Sequence, residues 1–274
     1  MKKILGAIAA LAMTVGLAAC GTPVSQGTAN QNQLVVGMEA GYPPFNWTQK
    51  DDSNGAVKIQ GTDQYAGGYD VEIAKRVAKQ LGKELVIVKT EWDGLTPALV
   101  SGKIDAIIAG MSPTEERKAT IDFTDSYYDS QLVLVVKKGS KYANATSLAD
   151  FAGAKVTAQL NTFHYSVIDQ IPGVDKQAAM DNFPAMRVAL QAGTIDAYVS
   201  ELPEAISAQA ANSDFVMVKL TDGFKVSPED IQTAVGVKKD SPLTKQINEA
   251  LKTISSEERQ QIMQDAIKNQ PAAE

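Results

Sequence analysis

The sequence predicts an α/β protein built from two similar lobes. Three observations carry this. Apolar, strand-like runs alternate with segments of helical spacing, as in sheets flanked by helices. The stretch Ala98-Leu99-Val100-Ser101-Gly102-Lys103-Ile104-Asp105-Ala106 recurs as Ala189-Leu190-Gln191-Ala192-Gly193-Thr194-Ile195-Asp196-Ala197, with six of nine positions identical and 91 residues between the copies. A second echo pairs Val136-Lys137-Lys138-Gly139-Ser140 with Val237-Lys238-Lys239-Asp240-Ser241. The spacing is too long for a solenoid repeat, and two lobes that each contain a helix, a glycine cap and a strand account for it.

The elements follow in order. Lys2 and Lys3 precede an apolar run over residues 4–19 that ends in small residues. At about 16 residues the run is marginal for a bilayer span and reads as a secretory signal. Cys20, the single cysteine, directly follows Leu17-Ala18-Ala19 and precedes Gly21. This resembles the bacterial lipobox, in which the cysteine is lipid-modified and becomes the new N-terminus. Residues 1–19 are thus expected to be a signal peptide, and residues 20–33 a lipidated cysteine with an uncharged, flexible tether. Order is expected from the strand Leu34–Gly37. Residues 41–69, rich in Gly, Pro, Asp and Asn, read as a long loop with room for a hairpin. Apolar residues at 71, 73, 74, 77, 78 and 81 predict a helix over Asp70–Leu81, capped by Gly82. Glu84–Val88 reads as a strand, Thr96–Val100 as a helix stopped at Gly102, and Ile104–Ala109 as a buried strand.

Composition removes whole classes of function. Hydrophobic residues make up 44% and charged residues 21% of the 274, which excludes a chain disordered throughout. One cysteine and one histidine exclude a disulfide framework, a Cys-based zinc site and a His-rich metal centre. The net charge is −6 and the pI about 5.0, without an extended basic run, so nucleic acid is not an expected partner. No phosphate-binding glycine loop and no nucleophile elbow are present.

Ligands of open α/β sheets bind beyond the carboxyl ends of the strands. The first copy of the repeat runs into Ala109-Gly110-Met111-Ser112-Pro113-Thr114-Glu115-Glu116-Arg117, the second into Tyr198-Val199-Ser200-Glu201. If the lobes face each other, one end offers backbone, hydroxyls and a guanidinium, and the other a carboxylate. That set suits a zwitterion: Arg117 for a carboxylate, taken bidentately, and Glu201 for an ammonium.

An ordered series of motifs makes a resemblance specific. These are Gly41-Tyr42-Pro43-Pro44-Phe45, Gly68-Tyr69-Asp70-Val71, Trp92-Asp93-Gly94-Leu95, Gly102-Lys103-Ile104-Asp105-Ala106, Met111-Ser112-Pro113-Thr114-Glu115-Glu116-Arg117 and Asp122-Phe123-Thr124-Asp125-Ser126-Tyr127-Tyr128. Together they resemble the polar amino-acid branch (family 3) of bacterial extracellular solute-binding proteins, which feed ABC importers. The resemblance spans about 34 to 270. It implies the two-lobed α/β periplasmic-binding-protein type II fold with a hinge of two crossover strands. Lobe 1 would comprise 34–130 and a return over 235–270, and lobe 2 would comprise 131–234.

The same resemblance implies roles for particular residues. Tyr42 would stack on the ligand side chain and Trp92 would wall the pocket. Ala109 and Gly110 would present main-chain groups, and Ser112 both main chain and hydroxyl. Arg117 would hold the α-carboxylate. The turn Gln159-Leu160-Asn161-Thr162-Phe163 would add N–H groups at a helix start. Glu201 would hold the α-ammonium, where many relatives carry Asp. Relatives commonly have Gly before the turn's Thr or Ser, and Asn161 can adopt the left-handed conformation that Gly supplies.

Glu39, at the end of the first strand, would reach a cationic side chain, as an acidic residue there does in relatives that bind basic amino acids. The expected ligand is a cationic L-amino acid, with lysine ahead of arginine, ornithine and histidine. Glutamine or another polar neutral amino acid is the alternative should Glu39 face away. His164 either lines the pocket or starts a helix at the surface. A dehydratase of cyclic carboxylic acids on the same fold is the enzyme alternative, and the primary reading is a binder and not an enzyme. No cofactor and no metal are expected. The expected partners are a free amino acid, a membrane permease with a separate ATPase subunit, and the membrane itself through the lipid on Cys20. The expected location is the outer face of the cytoplasmic membrane, with the protein acting as a monomer.

Overall fold

The computed structural model describes residues 32–271. The expected signal peptide, Cys20 and tether residues up to 31 lie outside them. In chain order the first strands are β1 (Gln33–Met38), β2 (Gly41–Tyr42), β3 (Asn46–Gln49), β4 (Val57–Lys58), β5 (Tyr65–Gly67), β6 (Glu84–Lys89), β7 (Ala106–Ile107) and β8 (Ile121–Asp129). They are followed by β9 (Leu132–Lys137), β10 (Lys155–Thr157), β11 (Asp175–Lys176), β12 (Ala197–Glu201), β13 (Phe215–Val218) and β14 (Gln232–Lys238). The helices are α1 (Tyr69–Gln80), α2 (Leu95–Ser101), α3 (Glu115–Lys118), α4 (Phe163–Val167), α5 (Phe183–Ala192), α6 (Leu202–Ala211), α7 (Leu243–Lys252) and α8 (Ser256–Asn269).

Two five-stranded sheets have matching layouts, β6-β1-β7-β14-β8 and β11-β10-β12-β9-β13. In each, four strands share one direction, and the fourth strand in order, β14 or β9, runs against them. β8 passes directly to β9 in the second sheet, and β14 returns to the first. The crossings touch where Ser130 N–H donates to the Ile231 carbonyl at 2.8 Å. The sheets are mostly parallel, as the alternation of strands and helices implies; the one antiparallel strand in each is β14 in the first and β9 in the second. The region 41–69, expected as a loop, forms a four-stranded sheet β2-β3-β5-β4. Its strands are two to four residues long, too short to leave a period-2 pattern.

The repeat has a shared physical basis. Gly102 and Gly193 both adopt left-handed φ, 79° and 74°, and each returns its N–H to carbonyls of the preceding helix turn. Three residues after each glycine, an aspartate clamps the neighbouring strand. Asp105 accepts from Val35 N–H at 2.9 Å and Asp196 accepts from Lys155 N–H at 2.9 Å. Each clamp aligns the following strand, β7 or β12, so that its carboxyl end reaches the space between the sheets. The expected strand Ile104–Ala109 is buried apart from the half-buried Asp105, and its regular part is Ala106–Ile107. α1 buries Val71, Ile73, Ala74, Val77 and Ala78, the face given by its spacing.

Candidate ligand-binding cleft

The carboxyl ends of β7 and β12 converge on a narrow cavity. Its walls are Tyr42, Trp92, Gly110, Ser112 and Arg117 from the first sheet's side and Gln159, Thr162, Phe163, His164, Phe183 and Glu201 from the second's. Of the residues expected to bind ligand, Glu39, Ala109 and the turn residues Leu160 and Asn161 are not in this lining. Ala109 is core, 1% exposed, and holds the backbone leading to Gly110.

Arg117 extends from α3, whose N-cap Thr114 accepts from the Arg117 N–H. Its guanidinium lies 5.1 Å from the centre of the Trp92 ring. It donates to the Ser112 carbonyl at 2.9 Å and, across the cleft, to the Asn161 carbonyl at 3.1 Å. Burial pushes its pKa down to about 10, still far above neutrality, so the group stays cationic. Asn161 has φ 54° and donates from its amide to Asp93 Oδ1 at 2.9 Å, tying the second-lobe turn to the first lobe. Thr162 caps the short α4 by position, but its hydroxyl donates to the Gln159 carbonyl at 2.7 Å.

Gly110 has φ 64°, and a Cβ there would fall 2.8 Å from Tyr42 Cε1. Its N–H is not free for a ligand, because it donates to the Tyr127 hydroxyl at 3.1 Å. That hydroxyl donates to Asp70 Oδ1 at 2.8 Å, and Asn46 donates to Asp70 Oδ2 at 2.7 Å. The Ser112 hydroxyl is also engaged, donating to the Asp230 carbonyl at 2.7 Å near the crossover. Burial holds the Asp70 carboxyl up at about 7 against the pull of these donors.

Tyr42 stacks between Phe45 and Phe183, with ring centroids 4.9 and 4.4 Å away. Phe183 was not anticipated. It is the first residue of α5, and only the Asn182-Phe183-Pro184 helix start places it on the ligand side of the sheet. His164, left open by the sequence, is 5% exposed and faces Glu201, with Nε2 3.3 Å from Oε1.

Glu39 sits one side chain behind the cavity. Gln159 Nε2 approaches its two carboxylate oxygens at 3.4 and 3.3 Å, and its other side faces a larger cleft lined by Lys89, Glu91 and Arg187. Burial pushes its pKa up to about 7, and Glu91 and Asp93 add to the effect. Arg187 is committed to the fully buried Glu204 at 2.7 Å. Among the described residues, no group of three His, Cys, Asp or Glu could hold a metal ion.

A cation in one lobe, a carboxylate in the other and aromatic rings between them, on a two-strand hinge, define a two-lobed binding protein for a small zwitterion. Residues 34–268 match the bacterial extracellular solute-binding proteins, family 3, and the chain belongs to that family. It is similar to the arginine-binding extracellular protein ArtP of Bacillus subtilis, 30% identical over 92% of each chain. It is also 31% identical to the ABC transporter glutamine-binding protein GlnH of the same organism, over 99% of this chain and 100% of that one. Among solved structures it resembles the amino acid ABC transporter substrate-binding protein AbpA from Streptococcus pneumoniae bound to L-arginine. The TM-score is 0.74 and the identity 28%, over 87% of this chain and 95% of that one. The protein is therefore an amino-acid ABC transporter substrate-binding protein of an extracellular family. The dehydratase alternative falls, because the family and its relatives are binders and not enzymes.

Proposed function

We propose that this protein captures a cationic L-amino acid by closing its lobes and delivers it to a membrane permease powered by a separate ATPase subunit. Arg117 holds the α-carboxylate, Glu201 the α-ammonium, and Glu39 the side-chain cation. The observation that carries the cationic preference is the Glu39 carboxyl. It is 5% exposed, its one hydrogen-bonding side-chain partner is the Gln159 amide, and around it the acids Glu91 and Asp93 outweigh the one nearby cation, Lys89. A buried acid in that field is short of positive charge, and a ligand cation would supply it. The residues alone put lysine slightly ahead. L-Arginine moves to first place because ArtP and AbpA carry arginine in their descriptions.

Glutamine is the second reading, favoured by the full-length similarity to GlnH. A protonated Glu39 beside Gln159 could then pair with a side-chain amide. The deciding experiment is calorimetry on protein that has been unfolded and refolded to strip captured ligand, titrated with L-arginine, L-lysine, L-ornithine, L-histidine and L-glutamine. Tight binding of the cations alone supports the proposal. Binding of glutamine alone leaves the transport role and ends the cationic reading.

The lipid anchor on Cys20 belongs to the same proposal. It would hold the monomeric protein at the outer face of the cytoplasmic membrane and raise its effective concentration near the permease. Cys20→Ser should move the protein from the membrane fraction to the medium, and retention at the membrane would overturn the anchor.

A further inference from the structure

Several buried polar atoms of the cleft lack well-formed hydrogen bonds: the Tyr42 hydroxyl, which lies beside the Glu201 carboxylate, Glu201 Oε2 and both ring nitrogens of His164. All three side chains line the same cavity and are 5% exposed or less. Buried polar atoms without partners are costly, so a cluster of them facing one cavity describes the ligand group that completes it. His164 Nε2 stands 3.3 Å from Glu201 Oε1 without hydrogen-bond alignment. A neutral imidazole offers one nitrogen as an acceptor, a carboxylate accepts only, and a tyrosine hydroxyl accepts as well as donates. A primary ammonium brings three donors and one positive charge, matching one acceptor on each of the three side chains.

We propose that His164 is a ligand-binding residue that accepts a hydrogen bond from the ligand's α-ammonium, forming a three-sided acceptor set with Glu201 and Tyr42. This rests on the assignment of Glu201 to the ammonium and adds a recognition element beyond that carboxylate. Phe163 and Phe183 hold the imidazole from two directions, with ring centroids 4.3 and 6.5 Å away. The ring is therefore placed by packing before ligand arrives. An α-ammonium is common to all amino acids, so His164 selects for the free amine and not for the side chain.

The test is a cycle between residue and ligand on the refolded full-length protein. L-Arginine is compared with 5-guanidinopentanoate, which lacks the α-amino group, on wild type, His164→Leu and His164→Gln. A hydrogen bond to a charged donor implies that His164→Leu weakens arginine roughly tenfold or more. It should leave 5-guanidinopentanoate unchanged, and His164→Gln, which keeps an acceptor, should recover most of the loss. Equal losses for both ligands, no loss for arginine, or tighter arginine binding by His164→Leu would each overturn the proposal. If L-arginine does not bind wild type, the same cycle is run with L-glutamine and its desamino analogue. Failure of wild type to bind either amino acid ends the reading of the whole cleft, and this inference with it.

Discussion

Tyr42 and Phe183 stack face to face across the cleft, 4.4 Å between ring centroids, and belong to different lobes. A lobe–lobe contact between two aromatic rings stabilises the closed form in proportion to the area it hides from water. It also lies where a ligand side chain must pass. Phe183→Ala should therefore weaken amino-acid binding roughly tenfold, chiefly through faster release. Stopped-flow release kinetics would check this, and an unchanged off-rate would show that the stack does not guard the site.

Arg117 donates to two carbonyls while its face lies over Trp92, a geometry that a planar fork satisfies and an ammonium does not. Arg117→Lys keeps the charge and should still lose roughly a hundredfold in affinity for any amino acid. The melting temperature of the ligand-free form should change little. A loss below about threefold in calorimetry would remove Arg117 from the carboxylate role.

Glu39 makes binding a proton-linked event if the ligand is cationic. Its carboxyl is raised from the ordinary 4.5 to about 7, so the ligand-free protein holds a proton there below that value. A cation beside it favours the carboxylate, expelling the proton, so affinity should rise as pH rises toward about 7. Calorimetry near pH 6 in buffers of different ionisation enthalpy should register proton release of up to about one per ligand, absent in Glu39→Gln. The same shift acts on folding with a fixed sign. Between 4.5 and about 7 the folded state binds the extra proton, so this contribution to stability is lost as pH rises through the window, at most about 3 kcal/mol. Unfolding of ligand-free Glu39→Gln should show a shallower pH dependence there.

Asp70 is fully buried and accepts from Asn46 and Tyr127, and Tyr127 in turn accepts from Gly110 N–H. Asp70→Ala strands two buried donors and should cost about 3 kcal/mol in urea unfolding. It should also weaken binding, since the Gly110 turn that meets Tyr42 loses its anchor. Tyr127→Phe, which removes only the hydroxyl, should reproduce the binding defect with a smaller loss of stability.

Much of this was legible because it is local. The Gly102 and Gly193 caps and the α1 face follow from short-range rules, and the repeat shows the caps twice. The left-handed turn at Asn161 follows from the family resemblance, with a residue type that tolerates it. Phe183 left no comparable trace, since one aromatic residue at a helix start has many possible environments. Glu39 was recognisable as an acid near the site, but its place behind Gln159 depends on how two lobes meet.

The sequence by itself determined the two-lobed α/β class, the family and the presence of one cation and one carboxylate at opposing strand ends. Backbone hydrogen bonding, helix periodicity and glycine's conformational freedom act over a few residues, and their pattern is written in the chain. Tertiary structure alone decided that Tyr42 meets Phe183 and that His164 faces Glu201. Those pairs lie far apart in sequence, and their meeting depends on how two packed lobes are joined at the crossover strands.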